Sequence, residues 1–197
     1  MTARHHRALI ATLAAVLWLT ACSNDTAVAA DAKASAATSA PESSGPTDDP
    51  CAFVSNAAVR KSFADAKAGK RDHRLDKYEI ATCMWETPTN GLALQLFKAA
   101  GSARDEVRSR AAGVLDPVKK GVGDKFRYET VAGVGDEATV LAEAGDPANG
   151  IYNDIAVLGV RKGEKMLVLF APQLIDGDRA ATIKALEALG TQAASRL

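Results

Sequence analysis

The sequence predicts an α+β domain in which helices pack on a mostly antiparallel sheet of about five strands. From residue 51 onward, short apolar segments recur between turn residues such as glycine, proline and asparagine. The links between successive strand candidates have hairpin length, which favours antiparallel pairing. Three other segments repeat apolar residues at helical spacing, and each begins after a capping residue. Their apolar stripes need a sheet face to pack on.

The first half of the domain predicts one helix and a hairpin. Ser55 is a favourable cap for the helix. The apolar face of this helix is formed by Val59, Phe63 and Ala66. Residues 78–86 and 92–98 have the composition of strands, and Asn90-Gly91 between them is a hairpin signal.

The second half predicts a helix, three or four strands and a closing helix. Ser102 begins the first of these helices and Pro117 ends it. Its apolar stripe is Val107, Ala111, Val114 and Leu115. The strand candidates are 126–131, 137–143, 152–160 and 166–170, and the last two are the most apolar, which predicts a place in the middle of the sheet. Asp178 caps the final helix. Its apolar face is Ile183, Leu186, Leu189 or Gly190, Ala193 and Leu197.

Residues 1–21 have the pattern of a secretory signal peptide. Residues 1–7 carry two arginines, and residues 8–20 form an uncharged, largely apolar run of 13 residues. A helix needs about 20 residues to span a bilayer, so this run is too short for one. The sequence therefore predicts export and removal of residues 1–21.

The predicted cleavage point resembles the lipobox of bacterial lipoproteins. Leu19-Thr20-Ala21-Cys22 has a leucine, two small residues and a cysteine in that order. The resemblance implies that Cys22 is lipidated and becomes the new amino terminus, and several acyl chains together anchor a protein firmly. An ordinary cleaved signal, with Cys22 there by chance, is the alternative.

A polar tether is predicted between Cys22 and a single domain at 51–197. Residues 23–50 are rich in Ala, Ser, Thr, Asp and Pro and contain one valine, so burial cannot offset the entropy of ordering them. A flexible coil of this length spans about 30 Å. The predicted location is the cell envelope, on the periplasmic side of the outer membrane or on the outer face of the plasma membrane. Ser23 resembles the outer-membrane address of organisms with two membranes.

The charge balance argues against nucleic acid as a partner. The chain has 24 basic and 24 acidic residues, and the loss of Arg4 and Arg7 with the signal leaves 22 against 24. No basic run after residue 22 exceeds two residues, whereas nucleic-acid binders carry a basic face. The expected partners are the membrane, through the lipid on Cys22, and a protein, glycan or lipid of the envelope.

Two cysteines remain after Cys22, and we predict that they form a disulfide. Cys51 and Cys83 are an even pair in an exported chain, and they enclose 33 residues when both ends are counted (83 − 51 + 1). A redox or metal pair is the competing interpretation, but the spacing is not Cys-x-x-Cys and no further His or Cys cluster supports it.

Motifs for catalysis or cofactor binding are weak. His73 is the single histidine after the signal and lies in a charged stretch, which predicts a surface residue rather than a member of a catalytic triad or a zinc site. Gly133-Val134-Gly135-Asp136-Glu137-Ala138 formally matches a dinucleotide fingerprint, but a strand follows the glycines where that motif needs a helix. Asp176-Gly177-Asp178 is interpreted as a helix cap rather than a calcium loop. No cofactor or metal is therefore expected.

Two further features leave alternatives open. Trp85 shares a strand face with Cys83, so it is expected in the core against the disulfide, with an exposed binding position as the alternative. Carboxylates such as Asp124, Asp136 or Asp154 could form an acid/base pair about 5–10 Å apart in a glycosidase-like cleft.

Residues 49–197 together resemble small secreted actinobacterial-type lipoproteins of unknown function. The segments that carry the resemblance are Asp49-Pro50-Cys51, Cys83-Met84-Trp85, the glycine motif at 133–138, Val160-Arg161-Lys162-Gly163 and Ser195-Arg196-Leu197. The resemblance implies an antiparallel sheet flanked by helices and no enzymatic activity.

Three functions are therefore considered. The first is a membrane-anchored envelope lipoprotein with a non-catalytic binding or structural domain. The second is a periplasmic inhibitor or immunity lipoprotein against a secreted hydrolase, which would present the loop at 70–77 or the loop at 161–165. The third is a carboxylate-dependent enzyme. The chain is expected not to be an enzyme.

Overall fold

The computed structural model describes residues 49–88, 91–115, 121 and 123–197. The helices in this part of the chain are α1 (Asn56–Ser62), α2 (Ala103–Ala112) and α3 (Arg179–Ala194). The strands are β1 (Lys70–Asp72), β2 (Ala81–Trp85), β3 (Leu92–Lys98), β4 (Glu129–Thr130), β5 (Glu137–Glu143), β6 (Ile155–Lys162) and β7 (Lys165–Ala171). The predicted signal peptide, Cys22 and residues 23–48 lie outside the described residues.

All seven described strands belong to one sheet, in the order β1-β2-β3-β7-β6-β5-β4. Every neighbouring pair is antiparallel, so the α+β class is confirmed. The hairpin of β6 and β7 lies in the middle of the sheet, as its apolar composition predicts. Both edge strands are short, which limits pairing with another chain.

The sheet is covered by helices on both faces. Alternate side chains of each strand point to opposite faces, so β6 contributes Leu158 to one core and Val157 to the other. The larger core lies between the sheet and the helices α1 and α3 and includes Trp85, Leu94, Leu158, Leu169 and Leu186. The smaller core lies under α2 and includes Val107, Leu141, Val157, Met166 and Val168.

Helix α2 approaches the sheet closely at a glycine. A Cβ atom at Gly159 would lie 2.9 Å from the carbonyl oxygen of Ala103 and 3.0 Å from Val107 Cγ2. Contacts this short are tighter than ordinary packing allows, and one of them is to backbone. The absence of a side chain at Gly159 therefore fixes how near α2 lies to β6.

The strand count corrects the prediction, because there are seven strands rather than about five. The additional strand β1 is Lys70-Arg71-Asp72, whose charged composition is typical of a loop. It forms by pairing with residues 82–84 of β2 at the edge of the sheet, where charged side chains reach solvent. The predicted strand 126–131 is reduced to β4, with Phe126 and Val131 buried on either side of it.

Three predicted elements are shorter than expected. The predicted strand 78–86 begins only at Ala81, because a 3-10 turn precedes it and Glu79 adopts a left-handed φ of 58°. Helix α1 ends at Ser62, so Phe63 packs against the core from the following loop. Helix α2 ends at Ala112, with Gly113 as its C-cap, rather than near Pro117.

The three predicted helix caps are confirmed. Ser55, Ser102 and Asp178 each accept a hydrogen bond from a backbone N–H in the first turn of the helix that follows. β3 and β5 have the predicted bounds.

The disulfide between Cys51 and Cys83 is present and joins the start of the domain to β2. Trp85 is fully buried beside it. Asn56, the first residue of α1, accepts two hydrogen bonds on Oδ1, from Trp85 Nε1 and from the backbone N–H of Gly69, both 2.8 Å long. Gly69 lies so close to the indole that a Cβ there would be 2.6 Å from Trp85 Nε1. One amide therefore connects α1, the loop before β1 and β2.

Candidate functional site

Loops at one end of the sheet form a concave surface on the described domain. The loops between β2 and β3, between β5 and β6, and after β7 all leave at this end, since Trp85 pairs with Leu92 and Ala156 with Ala171. The loop that follows α1 reaches the same place. Two adjacent concavities lie among these loops and share Gln173 as a common wall. We call the two together the loop-end groove.

The first concavity has a volume of about 300 Å³ and lies on the side of α1 and α3. Its wall combines apolar side chains with hydroxyl, amide and carboxylate groups. The polar side chains are Ser62, Asp65, Thr87, Gln173 and Asp176. The apolar ones are Phe63, Pro88, Leu174 and Ile175.

The second concavity is wider and more open, with a volume of about 620 Å³. It lies on the α2 side of the sheet, where Phe170 of β7 and Val114 form part of its wall. Tyr152 on its rim is 53% exposed, although most large apolar side chains of the described domain are buried. The remaining lining residues are Gly145, Pro147, Asn153, Asp154, Pro172 and Gln173.

The backbone conformation of two groove residues is unusual. Asp65 has a φ of 61° and Asp176 a φ of 49°, in the left-handed region that few residues with a Cβ adopt. They lie in separate loops and face the same concavity. Glu79 is the one other described residue of this kind apart from the glycines. Strained conformations concentrate at functional sites, which makes this concavity the leading candidate.

The groove has an acidic character. Asp65, Asp154 and Asp176 line it, and no described lining residue is Lys, Arg or His. Asp154 has a structural task, since its two oxygens accept hydrogen bonds from Gly145 N at 2.8 Å and Leu174 N at 3.3 Å. Asp65 and Asp176 are exposed and form no ion pair within the described residues. Their carboxylates are therefore available to a ligand.

Of the site residues considered from the sequence, Asp154 lies in the groove and the other described ones lie elsewhere. Trp85 belongs to the core, so its alternative as an exposed binding residue is wrong. His73 is exposed, as predicted, and bonds Asp76 Oδ2 through Nδ1 at 2.8 Å. That hydrogen bond lowers the pKa of the Asp76 carboxyl. Cys22 lies outside the described residues, and its lipidation stays a prediction.

Like Asp154, the other two carboxylates considered for acid/base catalysis have structural partners. Asp124 pairs with Arg108 Nη2 at 2.5 Å. Asp136 Oδ2 accepts a hydrogen bond of 2.7 Å from Gly163 N and so supports the turn between β6 and β7. The glycine motif forms a turn before a strand, because Gly133 and Gly135 have positive φ and β5 follows. The helix that a dinucleotide fingerprint needs is replaced there by a strand.

Sequence reasoning missed the groove because its residues come from separate segments. Tyr152 and Asn153 belong to the predicted strand 152–160, but β6 begins only at Ile155. The motif Asp176-Gly177-Asp178 indicates a helix cap, and no motif surrounds Asp65. The available signal was the group of polar and turn-forming residues at 144–154 and 172–178.

Comparisons with known proteins identify no family for this chain. No family model matches it, and neither the curated proteins nor the solved structures contain a significant match. None of the described helices has the length and apolar character that crossing a membrane requires. The described residues also contain no cluster of three or more His, Cys, Asp or Glu side chains suited to a metal ion.

Proposed function

We propose that this protein is a membrane-anchored lipoprotein of the cell envelope whose domain binds a ligand without transforming it. The loop-end groove is the observation that carries the proposal. Ligand sites are typically concavities of roughly 300–1,000 Å³ in which apolar walls carry a few polar groups, and the two parts of the groove measure about 300 and 620 Å³. Loops on a rigid scaffold are also where binding residues concentrate.

The scaffold beneath the groove supports this proposal. The groove loops adjoin β3, β6 and β7, in which Leu94, Leu158 and Leu169 are fully buried. Asp154 connects two of these loops through its hydrogen bonds to Gly145 and Leu174. A pre-organised site loses less entropy when a ligand binds.

The composition of the groove favours binding over catalysis. The described lining residues include two aliphatic hydroxyl side chains, Ser62 and Thr87, but no histidine, lysine or cysteine that could activate them. Asp65 and Asp176 are exposed, whereas a carboxyl that acts as a general acid lies in a desolvated pocket.

The inhibitor function is the second candidate because one surface turn is charged and contains its own ion pairs. Residues 72–76 follow β1 at the end of the sheet opposite the groove. Arg74 and Asp72 form an ion pair of 2.6 Å, and Arg71 reaches Asp76 at 3.4 Å. A pre-organised turn of this kind is what an inhibitor would insert into a target. The loop at 161–165 is a weaker choice, since it is a tight turn between paired strands.

Intact mass spectrometry of the membrane-extracted protein tests the anchor. The expected mass is that of a chain from Cys22 with acyl groups, lighter by two hydrogen atoms for the disulfide. An unacylated mass would overturn the anchor, and free Cys51 and Cys83 would contradict the disulfide.

Nuclear magnetic resonance with small organic probes tests the site. We would titrate 2-propanol and acetamide into the isotope-labelled full-length protein in micelles. The expected shifts concentrate at the groove, at residues such as Gln173 and Asp176, and leave the turn at 72–76 unchanged. Shifts at that turn alone, or none at either place, would overturn the binding function assigned to the groove.

A further inference from the structure

We propose that the ligand of the loop-end groove is a neutral oligosaccharide that lies across Gln173, with one sugar ring against Tyr152. This inference rests on the proposed function and adds the chemical class of the ligand. It is carried by three features of the groove: an exposed aromatic ring, amides without partners, and acidic walls without cations.

The first feature is the ring of Tyr152. A tyrosine that is 53% exposed at the rim of a concavity offers an apolar face to a ligand. Sugars present flat arrays of C–H groups that pack well on such a face. The backbone beneath the ring is fixed, because Tyr152 N donates to Val114 O at 2.9 Å and Ile151 bridges to Leu115. The ring therefore lies on a fixed backbone.

The second feature is the pair of side-chain amides beside that ring. Asn153 lines the second concavity and Gln173 lines both. Neither amide has a hydrogen-bond partner among the described residues. An amide both donates and accepts hydrogen bonds, and so does a sugar hydroxyl, which makes the two groups complementary. Gln173 can contact adjacent sugar units in both concavities.

The third feature is the negative charge of the groove walls. Asp65 and Asp176 can accept hydrogen bonds from hydroxyl groups in the first concavity. A phosphate, carboxylate or sulfate group in the first concavity would meet the like charges of Asp65 and Asp176. A neutral ligand is therefore favoured there over anionic lipid headgroups and acidic glycans. A cationic ligand would satisfy the carboxylates and could also pack on the ring of Tyr152, so a cation is included among the probes as the competing class.

Isothermal titration calorimetry on the full-length protein tests the ligand class. The probes are tetra-N-acetylchitotetraose and cellotetraose as neutral oligosaccharides, spermidine as a cation and inositol hexakisphosphate as an anion. The detergent must have no sugar headgroup. We expect one or both oligosaccharides to bind and inositol hexakisphosphate not to bind.

Substitutions at Tyr152 and Gln173 test whether the oligosaccharide binds in the loop-end groove. Loss of the aromatic face in Tyr152→Ala is expected to weaken oligosaccharide binding about tenfold, and Tyr152→Phe is expected to stay within about threefold of the wild type, because the ring remains. Tyr78→Ala is the matched control, since Tyr78 is 61% exposed and precedes β2 at the opposite end of the sheet. Gln173→Ala should weaken binding as well.

Each other outcome is decisive. If neither oligosaccharide binds while the organic probes still mark the groove, the carbohydrate inference fails and the proposed binding function stands. Binding of spermidine alone would replace the sugar with a cationic ligand. An equal loss in Tyr78→Ala and Tyr152→Ala would show that the sugar binds elsewhere. Cleavage of either oligosaccharide would overturn the non-catalytic function itself.

Discussion

Replacement of Asn56 by alanine tests how much the hydrogen bonds beneath the disulfide contribute to stability. In the folded protein Asn56 Oδ1 accepts from Trp85 Nε1 and from Gly69 N. Trp85 is fully buried, so its indole N–H cannot turn to water when the amide is removed. The bond to Gly69 lies in an exposed environment, where water can partly replace it.

Loss of the two hydrogen bonds lowers the free energy of unfolding, and the higher helix propensity of alanine partly offsets that loss. An orphaned buried donor costs about 1–3 kcal/mol, and an exposed hydrogen bond contributes about 0.5–1.5 kcal/mol. Alanine in the first turn of α1 returns about 0.5 kcal/mol through helix propensity. The expected loss in the free energy of unfolding is therefore about 1–4 kcal/mol, centred near 2.5. At roughly 2–4 °C per kcal/mol, the Tm falls by about 5–10 °C.

Urea denaturation followed by circular dichroism measures this loss in the full-length protein. Asn56→Asp is the matched control, because a carboxylate oxygen accepts the same two hydrogen bonds, and it should retain most of the stability. Asn56→Ala in a Trp85→Phe background should cost less than in the wild type, because the indole donor is absent. A loss below about 0.5 kcal/mol, the usual range for neutral surface changes, would refute the reasoning. An equal loss in both backgrounds would also refute it.

Three further predictions concern other parts of the fold. Removing the disulfide with Cys51→Ala and Cys83→Ala should cost about 4 kcal/mol for a loop of this length; in urea denaturation, a loss below about 1 kcal/mol would contradict the loop-closure account. Gly159→Ala should cost about 1–3 kcal/mol through overpacking under α2, and an unchanged Tm would show that α2 moves freely. The side-chain hydrogen bond from Arg74 lowers the pKa of Asp72, so this interaction stabilises the fold above the ordinary carboxyl pKa and is lost as the pH falls through the lowered value. The difference in urea midpoint between wild type and Arg74→Ala should therefore be present at pH 7 and shrink below about pH 4, and a difference that persists in acid would exclude ionisation of Asp72 as its cause.

Elements with a strong local pattern could be predicted from the sequence. β3 and β5 have the predicted bounds because most of their residues are apolar and buried. Asp178 could be predicted as a helix cap because aspartate is a preferred residue directly before a segment whose apolar residues have helical spacing. The elements that differ from the prediction depend on contacts between residues far apart in the sequence. β1 is charged throughout and becomes a strand only because β2 offers an edge to pair with.

The groove could not be predicted, for a related reason. Its walls come from five separate segments that only the fold brings together, so no window of sequence contains the site. Asp65 and Asp176 have ordinary neighbours, and their left-handed backbone is imposed by the loops around them. Tyr152 could be recognised as aromatic, but its exposure depends on β6 beginning three residues later, at Ile155.

The disulfide has a mechanical consequence for a chain pulled at its amino terminus. Tension arriving at Cys51 passes through the bridge to Cys83 and enters the sheet at β2, between β1 and β3. The enclosed segment, which includes α1 and β1, carries no load while the bridge is intact. Reduction would place these residues in series with the applied force and add up to about 110 Å of extensible chain. The bridge therefore determines how far the domain can be stretched before its central strands separate.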